Sequence, residues 1–414
     1  MKDFQFCRQC LYSSDHPLGI TFDETGLCSG CIVHEEKDKL DWEHRWNLLV
    51  DLVKDYKGKN KKNYDCIVPV SGSQDSYYIM HIVTEKLGLN PLVVAYNKYF
   101  NTRIGIHNLS NLRIKFNCDI LFQNVNPFLV KKITRQSLID FGSIYWPILA
   151  GHTAFPVQTA VRFKIPLIIW GAHQGMEQVG MFSHEHEVEM TRRYRKDHDL
   201  MGIEADDLVQ VSNFLNEEDI WQYRYPDSFD IESIGIRGIY LGNYLRWDPK
   251  AQHEKMIKLY NYRSTKFNRT FDTYDYVDCY NYMNLHDLIK LYKHGFSKVT
   301  DHASREIRFK RLSRLAAINL VKNYELNPVE HLNLFQTWLG IKDKSLDFIL
   351  NQFRNKKYWD FNDDQDKWLF SGLSTKMLHN ESQNDSNTHI SFTSTDDFSL
   401  KKQDKYITFG KGWY

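Results

Sequence analysis

The chain has 414 residues, of which 42% are hydrophobic and 25% charged. That is enough apolar chain to bury a large core and too much for a disordered protein. Lysine and arginine total 53 against 52 aspartates and glutamates, so there is no global pull toward nucleic acid or anionic membrane. No apolar run reaches membrane-spanning or leader length, and the expectation is a cytoplasmic protein of roughly two or three folded units.

Residues 1–33 are turn-rich and punctuated by Cys7-x2-Cys10 and Cys28-x2-Cys31, four of the seven cysteines in the chain. An odd total with two tight pairs reads as metal ligation in a reducing compartment, not as a disulfide framework. The spacing suits a four-thiolate zinc site, each pair on a sharp turn with its sulfurs about 2.3 Å from one ion. An iron–sulfur cluster uses the same four ligands and is the competing reading. Four thiolates leave no open position, so the predicted zinc-ribbon segment is structural.

Residues 34–205 change character. A helix is expected from about Glu35 to Tyr56, followed by the solvated linker Lys57–Lys62. From Tyr64 onward, short apolar runs alternate with helical stretches. Strands are expected at 65–70, 91–96, 118–125 and 165–170, and helices at 77–87, 104–116, 128–141 and 154–163. This alternation predicts an α/β fold, a doubly wound, mainly parallel sheet with ligands at the carboxyl ends of its strands. The turn after the first strand, Ser71-Gly-Ser-Gln-Asp-Ser76, has the small residues and hydroxyls of a phosphate cradle ahead of a helix. It has neither the lysine of a Walker loop nor the glycine fingerprint of a dinucleotide fold. In that cradle Asp75 is the candidate magnesium ligand.

Residues 206–370 are expected to be mainly helical and to serve substrate or partner. Residues 371–414, rich in Ser, Asn, Thr, Asp and Gln, are expected to be a poorly ordered tail, with Tyr406–Gly410 undecided as a docking strand. Cys66, Cys118 and Cys279 read as buried structural residues, without the setting of a glutaminase nucleophile. His173 and Glu177 stand open between site lining and loop structure. The run Thr191–Lys196 reads as a solvated basic face.

Ser71-Gly-Ser-Gln-Asp-Ser76 resembles the SGGxDS loop of the PP-loop ATP pyrophosphatases, with Ser73 where a second glycine is usual. The chain further resembles one branch of that superfamily, the N-acetyl sugar amidotransferases of lipopolysaccharide and pseudaminic or legionaminic acid biosynthesis. The pieces that carry this are the Cys7–Cys31 segment, Pro91–Asn97, Gly151–Phe155, Ile169–Gly171, Tyr240–Asp248, Asn284–Asp287 and Lys293–Ser304 with Glu306–Arg308.

The resemblance implies the adenine nucleotide alpha hydrolase-like fold. It also implies an AMP-forming reaction that turns a sugar acetamido group into an acetamidino group through an adenylated imidate. ATP, Mg2+ and a structural Zn2+ are the expected cofactors, and a separate glutaminase subunit is the expected source of ammonia. Ser71, Gly72, Ser73, Gln74, Asp75 and Ser76 would hold the phosphates, and Ala95, Asn97 and Gly171 would line the adenosine. Lys298 and Arg305 are candidates for a cationic clamp, and Asp301 and His302 for contact with the sugar or a proton from ammonia. Two rivals remain: a tRNA-modifying PP-loop enzyme, against which the balanced charge argues, and a non-catalytic zinc-ribbon nucleotide-binding module.

Overall fold

The computed structural model describes residues 4–59, 64–211, 214–275, 277–378, 390–395 and 406–408. Five parallel strands form the central sheet: β1 (Cys66–Pro69), β2 (Pro91–Tyr96), β4 (Ile120–Gln123), β5 (Leu167–Trp170) and β6 (Arg237–Tyr240), in the order β4-β2-β1-β5-β6. The chain winds outward from β1 through β2 to β4, then returns to the other side of β1 for β5 and β6. The switch point therefore lies between β1 and β5, where such sheets bind ligands.

Alternate residues of each strand feed opposite faces, as the pleat requires. Val68, Val93, Ala95, Leu167 and Ile169 pack with Tyr77, Met80 and Leu112 on one face, while Ile67, Leu92, Val94 and Ile168 pack with Val157 and Ala160 on the other. Covered on both sides, the strands are nearly continuous in apolar residues. The α/β reading of the sequence is borne out. The helix expected at 77–87 begins earlier, at Gln74, and widens from an α-helix (Gln74–Met80) into π-type turns (His81–Lys86).

The sheet's edge strand β6 comes from residues 237–240, beyond the boundary expected near 205. A third core joins the two ends of the chain: the four ribbon cysteines, Leu11 and Tyr12 pack with Phe296, Val299, Ala303, Ile318 and Val321. The polar stretch after 371 is in part built into the molecule. A helix at Leu373–Leu378 buries Leu373 and Met377, and Phe392 packs against the loop-side core. Strand β9 (Tyr406–Thr408) pairs antiparallel with β3 (Phe100–Thr102). A further antiparallel pair joins β7 (Trp359–Asn362) to β8 (Lys367–Phe370). The expectation of a disordered tail is corrected for these residues, and its remainder lies outside the described residues, as do 60–63 of the lysine linker.

Candidate functional site: the phosphate loop and its facing cleft

Ser71-Gly72-Ser73 turns directly off β1. Gly72 has φ of +88°, and a Cβ there would stand 2.9 Å from the Gly105 carbonyl oxygen, so both backbone and space require glycine. The loop's hydroxyls are drawn together: Ser71 Oγ donates to Ser73 Oγ at 3.1 Å, and Ser76 Oγ accepts the Ser71 amide at 3.0 Å. Ser73 caps the helix by position but its side chain makes no capping bond. Its hydroxyl stays with the loop, beside first-turn amides that have no intrahelical acceptor. The small replacement Ser73 thus fits the turn.

Asp75 opens that helix and accepts a bond from the Gln74 side-chain amide. Burial pushes its carboxyl up to about 7, helped by the charges of Asp275 and Asp272 and opposed by Arg305. Gln74 is itself buried, and its Oε1 has no hydrogen-bond partner. A carboxylate crowded by two others is a fitting position for a divalent cation.

The strand tips are more filled than expected. Ala95 is a core residue of β2. Asn97 bonds Asn124 at 2.7 Å through Nδ2, and its Oδ1 accepts from Tyr99 N–H and Asn101 Nδ2, both at 3.0 Å. At Gly171 a Cβ would meet Trp247 at 3.0 Å and Ile79 at 3.1 Å, so this glycine allows close packing of the indole.

The helix Lys298–Arg308 carries the late candidates on two stripes. Residues 298, 302 and 305 share one face, and 301, 304 and 308 the next. On the second face Asp301 accepts from Tyr12 Oη at 2.9 Å and pairs with Lys290, while Ser304 Oγ accepts the Leu11 amide at 3.3 Å. Burial alone would raise the Asp301 carboxyl, but Lys290 and Lys298 hold it below the usual carboxylate range. Asp301 is therefore committed to docking the ribbon, away from the position expected for it.

On the first face, His302 Nδ1 lies 2.7 Å from Thr270 Oγ1 and Nε2 lies 2.8 Å from Asp275 Oδ2. Arg305 donates to Asp272 and to Glu306, both at 2.8 Å, so its charge is neutralised within the protein. Lys298, Thr270, Asp275 and His302 line a small cavity of about 30 Å3 with Arg269, Asn284 and Asp287. Thr270, Asp272 and Asp275 were missed in the sequence because they lie in a Tyr- and Asn-rich stretch without a motif. The Asn284–Asp287 block stands out in the sequence only by its resemblance to the sugar amidotransferases.

The four ribbon cysteines are fully buried with sulfurs within 4.8 Å of one another. Cys10 and Cys28 are 3.5 Å apart and Cys7 and Cys31 are 3.8 Å apart. Sulfurs about 2.3 Å from a central ion in a tetrahedron stand about 3.8 Å from one another. Amides of Gln9, Cys10 and Cys28 donate to Cys7 Sγ at 3.4–3.5 Å. The cluster fits a four-thiolate metal site.

Residues 262–375 match the family model described as LPS biosynthesis protein WbpG-like, C-terminal domain. The match agrees with the resemblance to sugar amidotransferases of lipopolysaccharide synthesis drawn from the sequence. An uncharacterized protein of Methanocaldococcus jannaschii is 27% identical over 124 residues, which is 28% of this chain and 42% of that protein, so the chain spans less than half of its relative. Among solved structures, NH3-dependent NAD synthetase from Campylobacter jejuni subsp. jejuni is similar at 11% identity with a TM-score of 0.28, covering 47% of this chain and 92% of that one. NMN synthetase from Francisella tularensis is similar at 12% identity with a TM-score of 0.27, covering 52% and 94%.

Residues 262–375 supply every residue of the cleft wall named above, whereas the serine-rich loop 71–76 precedes them in the chain. Between them the remaining candidates are structural. His173 is packed edge-on by Phe182, Tyr194 and Tyr240, and burial holds its imidazole down to about 4. Glu177 pairs with the buried Lys37. The basic run is not uniformly solvated: Arg195 is buried and donates to Glu204 at 2.6 Å and to Thr153 at 2.8 Å, while Arg193 is exposed. Burial pushes the Cys279 thiol up to about 12 and Cys118 to about 11, and it raises Cys66 as well, which leaves none of them a ready thiolate. No helix among the described residues is long and apolar enough to cross a membrane.

Proposed function

We propose that the protein is an ATP-dependent, AMP-forming amidotransferase that converts a sugar acetamido group to an acetamidino group in bacterial surface-glycan synthesis. The observation that carries this reading is the juxtaposition of Asp75, on a serine-rich phosphate loop, with Asp272 and Asp275 of a WbpG-like domain whose cleft opens alongside. Burial first, and the charges of Asp275 and Asp272 after it, raise the Asp75 carboxyl, so the loop and these two carboxylates lie within electrostatic reach of one another.

An amide carbonyl resists attack because its oxygen leaves poorly. Moving AMP onto that oxygen creates a leaving group, and ammonia then displaces AMP. Such catalysis is positioning and charge neutralisation. The backbone and hydroxyls of Ser71, Gly72, Ser73 and Ser76 are suited to the departing pyrophosphate. Asp75 is the residue suited to a magnesium ion, which when bound would neutralise phosphate charge. Ala95, Asn97 and Gly171 are proposed to approach the adenosine by their backbone, since packing and hydrogen bonds engage their side-chain positions. Lys298 remains the candidate cation toward the acceptor. Cys7, Cys10, Cys28 and Cys31 are suited to a structural zinc ion, and a separate glutaminase subunit is proposed as the ammonia source, since Cys66 and Cys279 are buried and the half-buried Cys118 has its thiol raised.

The test is incubation of the purified chain with ATP, magnesium, ammonium and a panel of acetamido sugars, nucleotide-linked sugars and nonulosonic acids among them. AMP and pyrophosphate should appear with a product whose mass reflects replacement of a carbonyl oxygen by an imino nitrogen. AMP release with no such product from any acceptor would refute the reading. Turnover of glutamine by the single chain would refute the separate ammonia source.

A further inference from the structure

The group formed by Thr270, His302 and Asp275 has a feature that neither the phosphate loop nor the ribbon explains. His302 Nε2 faces Asp275 Oδ2 at 2.8 Å, and Nδ1 faces Thr270 Oγ1 at 2.7 Å. An ionised carboxylate only accepts hydrogen bonds, so the imidazole proton sits on Nε2. Nδ1 is then an acceptor, and the Thr270 hydroxyl must be its donor. The arrangement is hydroxyl, imidazole and carboxylate in line, the same order of roles as in a serine hydrolase triad.

Two observations separate this group from ordinary core polar pairing. First, it lies at the wall of the cleft, with Asp275 31% exposed and His302 only 4%. Second, its charges need no ion: Asp272 accepts from Arg305 and from the amides of Tyr274 and Asp275, so Asp272, Asp275 and His302 are mutually satisfied although their ligand atoms lie within 4.8 Å. These partners leave the line of hydroxyl, imidazole and carboxylate intact at the cleft wall, where it can pass a proton.

We propose that Thr270 and His302 take the proton from ammonia as it adds to the adenylated imidate, with Asp275 as the positioning residue. This rests on the amidotransferase reading above. Addition forms a carbon–nitrogen bond and leaves a positive charge on the new nitrogen. In that state the nitrogen is itself the better leaving group, and the adduct reverts. Transfer of one proton to the Thr270 oxygen, with the hydroxyl proton passing to His302 Nδ1, keeps the nitrogen attached. The carbon–oxygen bond to AMP then breaks, AMP departs with the electron pair, and the amidine remains. His302, now cationic, is held by Asp275 until it releases the proton to solvent. Neither Thr270 nor His302 acts in the earlier transfer of AMP.

The two half-reactions can be read separately in the full chain. Acceptor-dependent exchange of labelled pyrophosphate into ATP reports adenylation, and ammonium-dependent amidine formation reports the second step. Thr270→Val keeps the side-chain shape and removes the hydroxyl. It should lower amidine formation roughly a hundredfold relative to exchange, the range of a positioned acid–base group. Thr270→Ser should restore it. Asp275→Asn should lower kcat for ammonium by a larger factor than it changes KM for ATP. Amidine formation by Thr270→Val and His302→Asn within threefold of wild type would overturn the proposal, as would equal loss of exchange and amidine formation in Thr270→Val. Absence of exchange in the wild-type chain would instead remove the adenylation reading, and this proposal with it.

Discussion

Arg308 Nη2 stands 3.7 Å from the sulfurs of both Cys10 and Cys28, while its Nη1 donates to the carbonyls of Gln178 at 2.7 Å and Glu177 at 3.2 Å. One buried guanidinium thus ties the thiolate cluster, the loop after β5 and the helix Lys298–Arg308 together. It also offsets negative charge that four metal-bound thiolates would carry.

Stripping the metal should therefore be felt beyond the ribbon. A structural zinc of this kind contributes on the order of 10 kcal/mol to folding. Chelation is expected to lower Tm and to raise hydrogen exchange in Lys298–Arg308. Arg308→Met should weaken zinc retention by about 10- to 100-fold, as loss of an outer partner does. Competition with a chromophoric chelator measures this, and unchanged retention would remove Arg308 from its role.

Asp75 should trade stability for function. Its carboxyl is raised from the usual 3.8 to about 7, by burial first and then by Asp275. The folded state therefore holds a proton that the unfolded chain has lost. The cost of ionising it appears as pH rises past the unfolded value and is complete above about 7. Asp75→Asn is expected to stabilise the metal-free protein at pH 8 by about 1–3 kcal/mol, allowing for partial exposure. The gain should vanish near pH 4, while AMP formation is abolished. Melting curves at the two pH values check the sign.

Gly72→Ala meets two obstacles, the positive φ and the Gly105 carbonyl oxygen 2.9 Å from the new methyl. A left-handed backbone costs a non-glycine residue about 1–2 kcal/mol. ATP affinity should fall by more than stability does, because the loop relaxes by moving its amides. Titration calorimetry with ATP beside thermal melts separates the two, and normal ATP binding would exclude the loop from the nucleotide site.

The segment 390–395 buttresses the relay loop. Phe392 packs against Phe271 and Tyr274, and the Thr393 carbonyl accepts from Thr273 Oγ1 at 2.8 Å and from His253 Nε2 at 3.0 Å. Phe392→Ala is expected to cost about 1–3 kcal/mol and to lower kcat for amidine formation without changing Cys-site metal content. An unaltered kcat would show that the loop holds its geometry unaided.

What could be read from the residues alone was local and periodic. Two Cys-x2-Cys pairs place thiolates within reach of one ion whatever surrounds them. The βα alternation from Tyr64 predicts a parallel sheet because strand and helix periods differ. Ser71–Ser76 suggests an anion cradle because its residues are consecutive, and that turn lies at the end of β1 as expected. The strand β6 was not legible because four residues, Arg237–Tyr240, carry too little pattern outside their sheet.

The division of labour on Lys298–Arg308 was decided by tertiary structure. Asp301 and His302 are neighbours in sequence, yet one docks the ribbon through Tyr12 and the other meets Thr270 and Asp275, 32 and 27 residues away. A helix turns each successive side chain by roughly 100°, so adjacent residues serve different surfaces, and only the packing of ribbon and cleft against the helix settles which.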